Sequence, residues 1–342
     1  MPRQVRVEYE GAIYHVMARG NRLDKIVRSD EDREVFEKTL AEVIGKTGWQ
    51  VYAYALMGNH YHLVFKTPQA NLVEGMTWFQ STVTKRLNAR NRLRGHLFSG
   101  RYKAVLVEEN NYLNTLIHYV HLNAVRAKLI KPEDGIENYP WSSLSDYMKR
   151  PAKRRAWLSV DRGLAHLGYA DTAVDRRKFL KETESLINKN RLIRAGMVSV
   201  EGASKQVTLE RGWCFGSDSF REKMSLLAGE KMQLLGKSKN VANGYGGEQA
   251  HDFGEASARI YINEALEILA VTIDELRVLK NTDWRKAMSV RLLRANTSVK
   301  LDWISKELNM GARSGIGRAE TLLKAMLERD KKALRVWRKM SK

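Results

Sequence analysis

His60 and His62 flank a single residue in the run Val-Tyr-Ala-Tyr-Ala-Leu-Met-Gly-Asn-His-Tyr-His-Leu-Val-Phe, residues 51–65. The run is rich in β-branched and aromatic residues, and Gly58-Asn59 interrupts it as a turn signal, so the histidines open a strand. Neighbouring strand side chains point to opposite faces. Both imidazoles therefore leave one face, Tyr61 leaves the other, and the pair can hold one metal ion. Alone this is a weak signal, because most such pairs are core or surface histidines.

A second segment adds weight. Residues 112–127, Tyr-Leu-Asn-Thr-Leu-Ile-His-Tyr-Val-His-Leu-Asn-Ala-Val-Arg-Ala, read as helix. Helical positions four apart lie one above the other, so Tyr119 and Asn123 share a face, with Leu116 and Arg126 near the same stripe. Two imidazoles and the Asn123 amide oxygen make three ligands. Nitrogen and oxygen donors without thiolates suit Mg²⁺ or Mn²⁺ better than a structural zinc. A metal there would polarise a phosphate and Tyr119 would attack it, storing the bond energy in a phosphotyrosine link. A tyrosine considered by itself is more often a core residue. His118 and His121 turn off that face and are read as packing or DNA-facing, and His15 as structural.

These residues need elements to position them. Gly11 to Ala18 reads as a first strand. Ser29 caps a helix with Asp30, Glu31 and Asp32 in its first turn and Gly45 and Gly48 marking its exit. Strands at about 49–57 and 60–66 follow, then a helix from Leu72 to Asn91, a strand from Tyr102 to Glu108, and the tyrosine helix opening at Asn110 or Asn111. The expected fold is α+β, a ferredoxin-like or RRM-like antiparallel sheet with helices on one face. Beyond residue 148 the pattern turns helical. We expect a catalytic domain at 1–148, a basic helical linker region at 149–205 and a helical DNA-binding domain at 206–342. Residues 237–254 read as a flexible loop. Near the end, 303–308 and 312–327 read as two helices around Asn309-Met310-Gly311, a helix-turn-helix at about 300–328. An ordinary helical hairpin is the plain alternative.

The chain has 342 residues, a net charge of +20 and one cysteine. That charge favours a polyanionic partner. A lone Cys214 excludes an internal disulfide framework or a cysteine zinc cluster, and reads as core. No apolar run is long enough for a membrane span, and the first residues lack a signal-peptide pattern. A free thiol suits a reducing cytoplasm, and a cytoplasmic protein is expected. Candidate DNA contacts are Lys85, Arg86, Arg90, Arg101 and Lys103, with Arg313 and Arg318 in the tail.

Five ordered blocks carry a resemblance. They are Tyr-His-Val-Met-Ala-Arg-Gly-Asn at 14–21, Leu-Met-Gly-Asn-His-Tyr-His-Leu at 56–63, Gly-His-Leu-Phe-Ser-Gly-Arg-Tyr at 95–102, Tyr-Val-His-Leu-Asn-Ala-Val-Arg-Ala at 119–127 and Tyr-Pro-Trp-Ser-Ser at 139–143. Together they resemble the single-tyrosine HUH transposases of bacterial insertion sequences, most closely the REP-associated group. The resemblance implies His60 and His62 as metal ligands, Asn123 as the third and Tyr119 as nucleophile. It implies single-stranded DNA with hairpins as substrate, a 5′-phosphotyrosine intermediate and a free 3′-hydroxyl. Gly58 and Ala124 stand where the family usually has proline, and neither supplies a reacting group. The tail more weakly resembles the DNA-binding domain of replication initiators, which implies duplex DNA as a second partner. Monomer and homodimer both stay open. The alternative function is a domesticated, catalytically silent regulator that binds DNA through its tail.

Overall fold

Ser29 starts the first helix as its residue type suggests. Its side chain accepts from Asp32 N at 3.3 Å, and α1 (Asp30–Thr47) ends at Gly48, whose φ of 70° is the left-handed conformation a glycine adopts readily. Gly45 lies inside α1 and does not mark its exit. The computed structural model describes residues 6–109, 111–189, 197–198, 207–208, 212–234, 248–297 and 299–340. They fall into two compact units, divided between Phe220 and Arg221.

In the first unit, β1 (Ala12–Arg19), β2 (Gln50–Leu56), β3 (His60–Thr67) and β4 (Lys103–Val107) form one sheet with α2 (Leu72–Asn91) and α3 (Asn111–His121). The order is β2-β3-β1-β4-β7, where β7 is Cys214–Phe215, with antiparallel pairing among the first four. β3 leaves Tyr61 against Phe36 of α1 and Phe79 of α2, with ring centroids 5.2 and 6.1 Å away. His62, on the opposite face, meets Tyr119 of α3. The sheet thus carries α1 and α2 on one face, as expected, and receives α3 on the other. The physical cause is visible in β2, whose residues after Gln50 are all buried; an unalternating apolar strand needs cover on both sides.

The fifth strand was not legible beforehand. β7 (Cys214–Phe215) joins parallel to β4, pairing Leu106 with Cys214 and Val107 with Phe215. The Glu108 carboxylate anchors it, accepting from Ser217 N at 2.6 Å and Ser217 Oγ at 3.1 Å. Residues 212–220, read from sequence as part of the helical domain, fall in the first unit, and Cys214–Phe215 extend its sheet. A two-residue strand is too short to show a period. Cys214 is buried, as its aromatic neighbours suggest.

Between β4 and β7 lie α4 (Asn123–Arg126), α5 (Leu144–Met148), α6 (Val160–His166), α7 (Ala173–Lys189) and a paired β5 (Met197–Val198) and β6 (Val207–Thr208). Residues 149–189, expected as linker, pack in this unit: Ser159 N donates to Val51 O at 2.8 Å, and Leu158 bridges to Val51. Residues 190–196 and 199–205 of that segment lie outside the described residues.

The far face of α3 rests on α7. His118 stacks on Phe179 at 5.1 Å, and its Nδ1 is 2.9 Å from Thr183 Oγ1. His121 lies 2.7 Å from Ser143 Oγ and meets Tyr147 edge-on. Both histidines pack and neither faces solvent. Burial lowers His118 to about 4 against a weaker raising effect of Glu182, and burial then His118 hold His121 well below its ordinary value. The folded state so binds fewer protons than the unfolded chain below about 6.5, and stability is lost as pH falls from there toward the folded values. We predict that the unfolding temperature drops between about pH 7 and pH 5, and that His118→Phe makes this slope shallower by close to one proton. Thermal unfolding across a pH series checks it.

The second unit is helical. α8 (Asp218–Leu234) spans the division, and α9 (Glu248–Leu269), α10 (Ile273–Val278), α11 (Trp284–Asn296), α12 (Leu301–Glu307), α13 (Arg313–Arg329) and α14 (Lys331–Met340) follow. Residues 248–254, read as loop, form the first turns of α9, and 237–247 lie outside the described residues. Leu276, Met288, Leu292, Ile304, Ile316 and Leu323 share one core. Thr272 and Glu275 make a reciprocal cap for α10. α12 and α13 meet through a tight turn with Asn309 at φ 50° and Gly311 at φ 71°. Buried Lys286 clamps this turn by donating to the carbonyls of Arg277, Leu279 and Asn309 at 3.0, 3.0 and 3.1 Å. No described helix is long and apolar enough to cross a membrane.

Candidate active site

The β2–β3 turn aims the two histidines. Met57 N donates to His60 O at 2.9 Å, closing a two-residue Gly58-Asn59 connection, and Gly58 O accepts from Ile26 N and Val27 N. The sheet then carries His60 and His62 off one face with ring centroids 5.4 Å apart and planes at 75°. His60 is half-buried and His62 buried. Burial, followed by the charges of His15, His60, Arg126 and Arg19, holds His62 well below its ordinary pKa. It is a neutral imidazole at pH 7, the protonation state that ligates metals.

α3 supplies the phenol. The Tyr119 ring stands edge-on to His62 at 5.9 Å and to His15 at 6.1 Å, and is fully buried. The structure thus brings His60, His62 and Tyr119 together. The helix breaks at Leu122, yet Leu122 N still donates to His118 O at 3.0 Å, so the turn between Tyr119 and Asn123 is kept. Asn123 is buried, and its Nδ2 donates to Tyr119 O at 3.0 Å. That turns the amide along its own helix and leaves Oδ1 as its only ligating atom.

Three neighbours escaped the sequence reading as site residues. His15 of β1 places Nε2 2.8 Å from His62 Nδ1. Asn59 Oδ1 lies 2.7 Å from His60 Nδ1. The Arg126 guanidinium lies over the Tyr119 ring, 4.4 Å from its centroid, a cation–π contact. Arg126 follows Tyr119 by seven positions, two helical turns, which was a usable signal. His15 gave none, because its place depends on the register of β1 against β3.

Residues 8–123 match the family model described as transposase, IS200-like. Over these residues the chain is similar to the IS200-like transposases. A solved structure of a REP-associated tyrosine transposase bound to a REP hairpin is similar, at 12% identity over 47% of this chain and 90% of that one, with a TM-score of 0.38. No curated protein matches the chain significantly.

Within the first unit the basic residues separate into two groups. Arg86 forks onto the Glu42 carboxylate at 2.9 and 3.0 Å and reaches Thr39 Oγ1 at 2.8 Å. Arg90 pairs with buried Asp32 at 3.2 Å and with Glu31 at 3.5 Å. Both join α2 to α1. Lys85 and Arg101, both exposed, line one groove of about 750 Å³ with Thr77, Ser81 and Thr84. Its wall is tied to the site: Ser99 N donates to Arg19 O at 2.9 Å, and Arg19 pairs with His60. Lys103 lies on β4 opposite Met17. In the second unit Arg313 pairs with Asp302, while Arg318 is exposed on α13.

The nitrogen lone pairs at the histidines are donors that a divalent cation could use. Asn59 Oδ1 can only accept, so His60 carries its proton on Nδ1 and its lone pair on Nε2. Among the described residues no group of three or more His, Cys, Asp or Glu is arranged around a metal. The ligand set read from sequence, two histidines and one amide, is of a different kind.

Proposed function

We propose that the transposase domain cleaves and rejoins single-stranded DNA at Tyr119, with Mg²⁺ or Mn²⁺ held by His60, His62 and Asn123. The observation that carries this reading is the meeting of Tyr119 with His62 on the sheet face opposite α1 and α2, inside the family match. The Tyr119 oxygen forms a bond to phosphorus and gives up its proton to solvent. The P–O3′ bond breaks, and the 3′ oxygen leaves as a hydroxyl after taking up a proton. The 5′ side stays on the enzyme as phosphotyrosine, and attack by a 3′-hydroxyl reverses the step. A bound cation would neutralise charge developing on the phosphate. Tyr119 is fully buried, with Arg126 over its ring, so a phosphodiester reaches the phenol only when the cover around it moves. The Arg126 guanidinium then lies within reach of the phosphate that displaced it.

The test incubates the full chain with a labelled single-stranded hairpin oligonucleotide and Mn²⁺. A covalent adduct that survives denaturation is expected. Its absence across hairpin sequences and metals, together with tight duplex binding, would favour the silent regulator.

Substrate strand enters, on this reading, along the Lys85–Arg101 groove. Lys85→Ala and Arg101→Ala should each weaken single-strand binding about equally for all sequences and lower the salt slope by about one. Arg86→Ala should instead lower stability, since Arg86 bonds α1. Titrations at several salt concentrations separate these outcomes. In the tail, α12 and α13 are proposed as a duplex-reading helix-turn-helix, with Ser314, Arg318 and Thr321 exposed along α13.

A further inference from the structure

The two candidate ligand rings are both approached on Nδ1 from outside the site. For His60 the partner settles the proton. Asn59 Oδ1 accepts at 2.7 Å, and Asn59 Nδ2 donates to Leu23 O at 3.3 Å, which fixes the direction of the amide. His60 therefore carries hydrogen on Nδ1 and a lone pair on Nε2. For His62 the partner is another imidazole, His15 Nε2, at 2.8 Å, and either ring can donate. If His15 donates, the His62 proton moves to Nε2 and that nitrogen has no lone pair to offer. If His62 donates, both candidate ligands share one tautomer.

We propose that His15 is the acceptor of this bond, a positioning residue that holds His62 in the ligand tautomer and fixes the angle of its ring. The inference rests on the metal reading of His60 and His62. The fold holds His15 rigidly enough for the task. It is buried in β1, whose ladder pairs Met17 with His62 and His15 with Val64, so it is the diagonal neighbour of His62 on the same sheet face. The rings lie 5.1 Å apart at 21°, and the Tyr119 ring meets both edge-on. A rotation of His62 would so disturb ligand and nucleophile together. Outer partners of this kind set both the orientation and the basicity of ligating histidines.

Two measurements on the full chain test this. The first is the long-range proton–nitrogen correlation of ¹⁵N-histidine-labelled, metal-free protein. It should find His60 and His62 both protonated on Nδ1; a proton on His62 Nε2 overturns the proposal without any variant. The second is Mn²⁺ affinity, read from the electron-spin resonance of the free ion. His15→Leu should weaken it about 10–100-fold, and His15→Gln, which keeps an acceptor oxygen, should recover most of the loss. Wild-type affinity in a folded His15→Leu protein overturns it, as does a loss confined to thermal stability. Wild-type protein that takes up no Mn²⁺ sinks the metal reading itself, whereas the tautomer measurement still judges His15.

Discussion

Phenylalanine at position 119 should abolish the covalent protein–DNA adduct and leave the fold intact. The exchange removes one oxygen and keeps the ring. The ring keeps its own tertiary contacts: Arg126 over its face at 4.4 Å, and His62 and His15 against it at 5.9 and 6.1 Å. No other group is placed to form the bond to phosphorus on this reading, so adduct formation should fall by roughly 10³-fold or more, about 4 kcal/mol of barrier. Denaturing gels with the labelled hairpin measure the adduct, and thermal unfolding checks the fold. Persistence of the adduct in Tyr119→Phe would move the nucleophile to another residue.

The second large effect is expected from His60→Ala combined with His62→Ala. Each ring offers one neutral nitrogen, and losing both leaves Asn123 as a lone amide donor. Divalent-metal binding should disappear. Adduct formation should fall by a factor of about 10³, the several kcal/mol that a cation contributes to charge neutralisation at phosphate. Single-stranded DNA binding should change little, because the Lys85–Arg101 groove is untouched. Mn²⁺ titration, adduct assay and binding assay on one preparation separate the three. Full activity in the double variant would end the metal reading while sparing the tyrosine.

Much of the site was legible because its signals are local. The parity of a strand puts His60 and His62 on one face, and the pitch of a helix puts Tyr119 beneath Asn123. Ser29, with three acidic residues behind it, marks the start of α1. The two helices of α12 and α13 and their turn also came from short-range pattern. Other features lacked such a pattern. β7 is two residues drawn from more than a hundred positions beyond its partner β4. The first turns of α9 were read as loop, since 237–254 is rich in glycine and asparagine, and helix packing outweighs that weak propensity at 248–254. Lys85, Arg86 and Arg90 look alike along α2, and only the position of α1 decides that Arg86 and Arg90 meet carboxylates while Lys85 stays exposed.

Sequence by itself determined the residue types and their local spacing: two imidazoles on one side of β3, a phenol and an amide one helical turn apart, and a strong positive charge. Tertiary structure decided which of these meet. The antiparallel register of β1 against β3 sets His15 beside His62, and the packing of α3 on the second sheet face seats Tyr119 against both. The reason is range. Alternation and helical pitch are set within a few bonds along the chain, whereas register and helix docking are set by the burial of surfaces far apart in sequence.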